Sequence, residues 1–145
     1  NRKVINIKTN IKPSTYNVIE IQKMVKIKSQ IEKNIKLKKF KVLDARSKNR
    51  FLGTEPEPRA GIKGGSIEGS SCLPLSELIN SKDNTFLDLN KLKKKFNKIG
   101  IKSNETVMSC GSSISASSLA LAYSLINDEY SPKIYIGSWT EYGKK

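Results

Sequence analysis

The chain has 145 residues, 37% of them hydrophobic, with 27 Lys and Arg against 13 Asp and Glu for a formal net charge of +14. That length suits one domain with a modest core, and no apolar run approaches the roughly 20 residues that span a bilayer. Histidine is absent, which excludes the Ser-His-Asp triad, the Cys-His pair and every His-containing zinc site, and two cysteines, Cys72 and Cys110, are too few for a zinc cluster.

In chain order, residues 1–13 are polar and irregular up to Pro13 and read as a tail or linker; residues 14–145 read as the domain. Over 14–34 the spacing of Val18, Ile21, Met24, Val25 and Ile31 predicts a helix, with Ser14 or Asn17 as its cap. FKVLDA (40–45) is β-rich and bounded by polar residues, the pattern of a buried strand. Residues 49–71 carry Pro56, Pro58 and five glycines and read as loop. SSCLPL (70–75) predicts a short strand that Pro74 ends early, and SELIN (76–80) a short helix capped by Ser76. LDLNKLKKKFNKIG (87–100) predicts a helix with Asp88 or Asn90 at its start and Gly100 past its end. ETVMSC (105–110) is a strand, SSLALAYSLIN (117–127) a helix and KIYIG (133–137) a last strand. Strands alternating with helices predict a parallel sheet covered on both faces, and ligands of such sheets bind at the carboxyl ends of the strands.

The charge does not read as a nucleic-acid surface. Only four of the 27 cations are Arg, and the densest lysine run, KLKKKFNK (91–98), alternates with Leu92 and Phe96 like the solvated face of a helix. No nucleic-acid or membrane partner is expected. The N-terminus lacks the pattern of a secretory signal, so free thiols in a reducing, cytoplasmic compartment are expected.

Cys110 falls at a strand's carboxyl end on this reading. GSSIS (111–115) is mostly small, so successive N–H groups can turn inward as a nest, and the next helix adds its positive end. Both favour a thiolate and an anion beside it, an activated nucleophile without a histidine base. Buried packing is the competing reading of a lone cysteine. A cysteine phosphatase is disfavoured, because the Arg it needs six residues on is Ala116 here. Cys72, with no such loop after it, reads as structural.

Three stretches, VLDARSKNRFLGTEPEPRAGIKGGSIEGS (42–70), VMSCGSSISA (107–116) and YIGSWTEYG (135–143), together resemble the rhodanese-like sulfurtransferases. The likeness is to the catalytic C-terminal domain of the 3-mercaptopyruvate and thiosulfate enzymes. The resemblance implies an α/β, three-layer fold with about five parallel strands and helices on both faces. It implies Cys110 as the catalytic residue, taking a sulfane sulfur as a persulfide from a small anionic donor and passing it to cyanide, a thiol or a protein. It implies Arg50 and Arg59 as binders of the donor's carboxylate, a role suited to a planar guanidinium fork, beside the loop residues Gly111, Ser112, Ser113, Ile114 and Ser115. No cofactor and no metal are implied. Cys110-Gly111-Ser112 with no following cation resembles the mercaptopyruvate type. Arg46 reads as the partner of Asp44, and Trp139 as core. Glu55 or Glu57 is the expected ion-pair partner of Arg59 if that arginine braces the loop instead. The family's loop carries Gly where this chain has Ser113, which costs on the order of 1 kcal/mol if φ there is positive. Typical members carry a second rhodanese-like domain before this one, which this chain is expected to lack; the alternative reading is a degenerate, non-catalytic module or truncated remnant that acts, if at all, as a binding domain.

Overall fold

The computed structural model describes residues 12–17, 22–101 and 105–144. Five short strands pair into one parallel sheet: β1 (Val25–Lys26), β2 (Lys41–Asp44), β3 (Ser71–Cys72), β4 (Thr106–Ser109) and β5 (Ile134–Tyr135), in the order β1-β5-β4-β2-β3. The register sets Val42 against Val107 and Leu43 against Met108. Successive side chains of a strand face opposite ways, so each pair serves a different face. Val42 and Val107 pack with Ile31 of α1 (Lys28–Leu37) and Trp139 of α5 (Ser138–Tyr142). Leu43 and Met108 pack with Leu92 and Phe96 of α3 (Leu89–Lys98) and Leu119 of α4 (Ile114–Ser124). Helices cover both faces of the sheet, which makes three layers.

Helix α3 shows how local sequence yields its place. Asp88 caps it by accepting from the Lys91 N–H at 2.9 Å, and Gly100 follows it at φ +72. Leu92 and Phe96, four residues apart, are at most 1% exposed. Each such burial is worth about 1.5–3 kcal/mol over exposure, while the intervening lysines stay in water.

Several boundaries differ from the sequence reading. The helix expected over 14–34 begins at Lys28, because Val25–Lys26 pair with Ile134–Tyr135 as an edge strand. A strand and a helix merge into one apparent period. No described helix begins at Ser14 or Asn17; at the start of α1 the Ile27 N–H donates to Gln30 Oε1 at 3.1 Å. Val18, Ile21 and residues 1–11 lie outside the described residues. The 49–71 loop contains most of a short helix, α2 (Lys48–Leu52), capped by the Ser47 hydroxyl and closed by Gly53 at φ +75. Around Ser76 the chain makes a 3-10 turn, Leu75–Leu78, entered from Pro74 rather than capped by Ser76. Helix α4 starts three residues earlier than expected, and α5 has no counterpart in the sequence reading.

The order of the strands places the site. From β2 the chain runs outward to β3; from β4 it turns the other way to β5. The crevice of an open parallel sheet forms where connections diverge in this way, at the carboxyl ends of the strands. There the segment after β2 faces the loop after β4.

Candidate active site

At that crevice lies a cleft of about 640 Å³, lined among others by Arg50, Arg59, Cys110, Gly111, Ser112, Ile114 and Ser115. The arginine segment and the cysteine loop thus meet as expected. Ser113 is the exception: it does not line the cleft. Its N–H donates to Ser138 Oγ at 3.0 Å and its hydroxyl to the Ser112 carbonyl at 2.7 Å. Its φ is +63, so the serine does occupy a backbone state that favours glycine.

Cys110 is 3% exposed and belongs to the apolar cluster of Ala45, Leu73 and Ala116, yet it forms part of the cleft floor. The loop after it is shaped from α5. The Trp139 N–H donates to the Cys110 carbonyl at 2.8 Å, and the Thr140 N–H and hydroxyl donate to the Gly111 carbonyl at 3.0 and 2.5 Å. Neither peptide is cis, and in a trans peptide C=O and N–H point opposite ways. Anchoring both carbonyls on α5 turns the N–H groups of Gly111 and Ser112 away from it. Ser113 supplies no side-chain cap to α4. Among the described residues, no protein acceptor takes the N–H groups of Gly111, Ser112, Ile114, Ser115 or Ala116. These donors, at the start of an eleven-residue helix, are available to an anion.

Ser138 fixes both ends of the loop. Its hydroxyl accepts from the Cys110 N–H at 3.3 Å and the Ser113 N–H at 3.0 Å, and donates to the Tyr135 carbonyl at 3.0 Å. It is fully buried at φ +50, a backbone state that glycine would fill without strain but also without the hydroxyl.

The cations come from the other side. A Cβ on Gly111 would lie 3.1 Å from Arg50 Nη2 and 3.8 Å from Arg59 Nη1. Both guanidinium groups therefore sit over this residue, and its missing side chain leaves them room. Arg50 donates through Nε and Nη2 to Glu57 at 3.2 and 2.6 Å. Glu57 also receives Arg46 Nη1 at 2.6 Å, and Arg46 is paired with Asp44 at 2.8 Å and lies over the Trp139 ring. Burial pushes the Glu57 carboxyl up, but hydrogen bonds from Arg50 and Arg46 outweigh it and hold the group below its ordinary range. The same bond to Glu57 raises Arg50. Arg59 joins no ion pair among the described residues; Nη1 donates to Thr140 Oγ1 at 3.1 Å. Trp139 is core, as expected, with Nε1 bonded to the Lys63 carbonyl at 2.8 Å.

The sequence reading missed Ser138 and Thr140 as parts of the site, and it offered Glu57 to Arg59 where the structure pairs it with Arg50 and Arg46. Ser138 and Thr140 lie 28 and 29 residues beyond the loop atoms they hold, so no local spacing signals them. The stretch YIGSWTEYG, which holds both, was the available pointer.

Comparison with known proteins agrees with this geometry. Residues 28–145 match the family model described as Rhodanese-like domain. The chain is 38% identical over 133 residues to Thiosulfate/3-mercaptopyruvate sulfurtransferase 1, mitochondrial, of Arabidopsis thaliana, covering 91% of this chain and 35% of that protein. It is 34% identical over 119 residues to 3-mercaptopyruvate sulfurtransferase of Homo sapiens, covering 81% and 39%. The crystal structure of Tum1 protein from Saccharomyces cerevisiae matches at 31% identity and a TM-score of 0.73, over 83% of this chain and 43% of that one. The chain spans less than half the length of each of these relatives.

Proposed function

The chain belongs to the rhodanese-like family, and from that premise we propose that it is a sulfurtransferase carrying a sulfane sulfur on Cys110. The donor is 3-mercaptopyruvate in preference to thiosulfate, and the acceptor is a thiol, cyanide or a protein.

The carrying observation is the unspent ring of amides around Cys110, facing two arginines across the cleft. In the proposed reaction the Cys110 thiolate attacks the sulfur of mercaptopyruvate. A new S–S bond forms as the C–S bond breaks, and the bonding pair leaves on carbon as the enolate of pyruvate. The proton lost from the donor's thiol returns to that carbon. Arg50 and Arg59 hold the carboxylate, and the Ser112 hydroxyl donates to the keto oxygen. The amides of Gly111, Ser112, Ile114 and Ser115 receive the negative charge at the persulfide. An acceptor thiolate then attacks the outer sulfur, and Cys110 departs as thiolate. The loop bears no cation, so the anion-holding charge lies on the opposite wall, where a donor with its carboxylate distant from its sulfur reaches both.

The test is incubation with 3-mercaptopyruvate, followed by assay of released pyruvate and of cyanolysable sulfur on the protein. One sulfur per chain is expected, and none on Cys110→Ser. A folded wild-type chain that takes up no sulfur would leave the non-catalytic binding module standing instead.

A further inference from the structure

We propose that Thr140 is a positioning residue: its hydroxyl holds Arg59 over the cysteine loop and so sets the affinity for an α-keto carboxylate. This inference rests on the sulfurtransferase reading for its biological meaning, but not for its test.

The two arginines over Gly111 are held in different ways. Arg50 has its Nε and Nη2 committed to the buried Glu57. Arg59 is exposed and bears no carboxylate partner among the described residues. It keeps most of its five donors for a ligand, and it is the freer cation to read a carboxylate. Its liability is freedom: an exposed arginine unrestrained by a partner samples many rotamers, and ordering it weakens binding. Thr140 Oγ1 removes that freedom by accepting Nη1 at 3.1 Å. The same hydroxyl donates to the Gly111 carbonyl at 2.5 Å. One hydroxyl, accepting on one side and donating on the other, therefore ties the cation on the segment after β2 to the loop after β4. Its orientation is forced, since arginine only donates and a carbonyl only accepts. The Thr140 N–H also binds the Gly111 carbonyl, at 3.0 Å. Loss of the hydroxyl thus frees Arg59 while the loop stays anchored. Valine in place of Thr140 keeps the shape and deletes only the hydroxyl.

The probe is pyruvate, titrated calorimetrically into wild type, Thr140→Val, Thr140→Ser, Arg59→Met and the Thr140→Val/Arg59→Met double variant, with unfolding midpoints measured in parallel. Thr140→Val is expected to weaken pyruvate about three- to tenfold, Thr140→Ser to restore it, and Thr140→Val to add nothing once Arg59 is gone. With 3-mercaptopyruvate as substrate, the same variant raises KM and leaves kcat unchanged. Equal pyruvate affinity in wild type and Thr140→Val overturns the proposal. So does an equal loss in both backgrounds, or absence of pyruvate binding by folded wild type. Pyruvate binding that depends on Thr140 in a chain that loads no sulfur would sink the sulfurtransferase reading and keep this one.

Discussion

Cys72 and Cys110 end strands on either side of β2: Asp44 pairs with Cys72 on one flank and with Ser109, one residue before Cys110, on the other. The segments downstream of the two cysteines differ. After Cys72, the Leu73 N–H donates to the Asp44 carbonyl at 2.9 Å and the Leu75 N–H to the Ala45 carbonyl at 3.1 Å, while Pro74 has no N–H to offer. Both of those donors are spent at the end of β2. After Cys110 the carbonyls of Cys110 and Gly111 are spent on α5, while the amides of Gly111, Ser112, Ile114 and Ser115 have no protein acceptor among the described residues. Cys72, the more accessible thiol, is the one the proposed reaction does not use. Cys72 is half-buried, its Sγ donates to the Arg46 carbonyl at 3.5 Å, and burial with the nearby Asp44 charge pushes it up to about 11. On the proposed function, the reactive sulfur is marked by the unspent donors around it rather than by its exposure.

The largest effect that could break this contrast is on sulfur loading. Cys110→Ser is expected to remove cyanolysable sulfur by orders of magnitude, and Cys72→Ser to leave it at the wild-type level; equal losses would erase the distinction. In Cys110→Ser, alkylation of Cys72 should climb about tenfold per pH unit and level off only near pH 11. A plateau near neutrality would show Cys72 to be the activated thiol.

Glu57 joins the two flanks. It braces Arg50 over Gly111 and also Arg46, whose carbonyl accepts the Cys72 thiol. Its side chain is 3% exposed, and unpairing such a buried network costs about 3–5 kcal/mol. Glu57→Gln should lower unfolding stability by that order in urea titrations at pH 7. Its carboxyl is depressed in the folded chain, so the stability it confers is complete above its ordinary value of about 4.3 and is lost as pH falls through the folded value. The variant should lack that part of the acid dependence; an unchanged acid profile would contradict the assignment.

Much of this was legible in the sequence, for reasons that particular residues make plain. Val42, Leu43, Val107 and Met108 form β-rich runs between polar segments, and buried parallel strands announce themselves that way. Asp88 and Gly100 bound a helix by local chemistry. Arg50, Arg59 and Cys110 could be named from the stretches that carry the family resemblance. Residues 25–26 could not be read as a strand, because two residues carry no period and the strand exists only through its partner β5. Nearness in sequence pairs Arg59 with Glu55 or Glu57, yet it binds Thr140, 81 residues on. Side-chain partners set by topology leave no local trace.

The smallest prediction carries the contrast in its sign. Ser113 sits at φ +63, and a non-glycine residue in that region costs about 1–2 kcal/mol. Glycine relieves this but returns about 0.5–1 kcal/mol of chain entropy to the unfolded state, and the bond from Ser113 Oγ to the Ser112 carbonyl is lost as well. Ser113→Gly should therefore stabilise the chain slightly, by about 0.5 kcal/mol. The same change at Ser71, in β3 beside Cys72, relieves no such strain and should destabilise it by about 0.5–1 kcal/mol. Denaturation midpoints that move in opposite directions would locate the strain in the Cys110 loop. Midpoints that fall together would show that the strain at Ser113 is worth less than the chain entropy and the hydroxyl bond that glycine gives up.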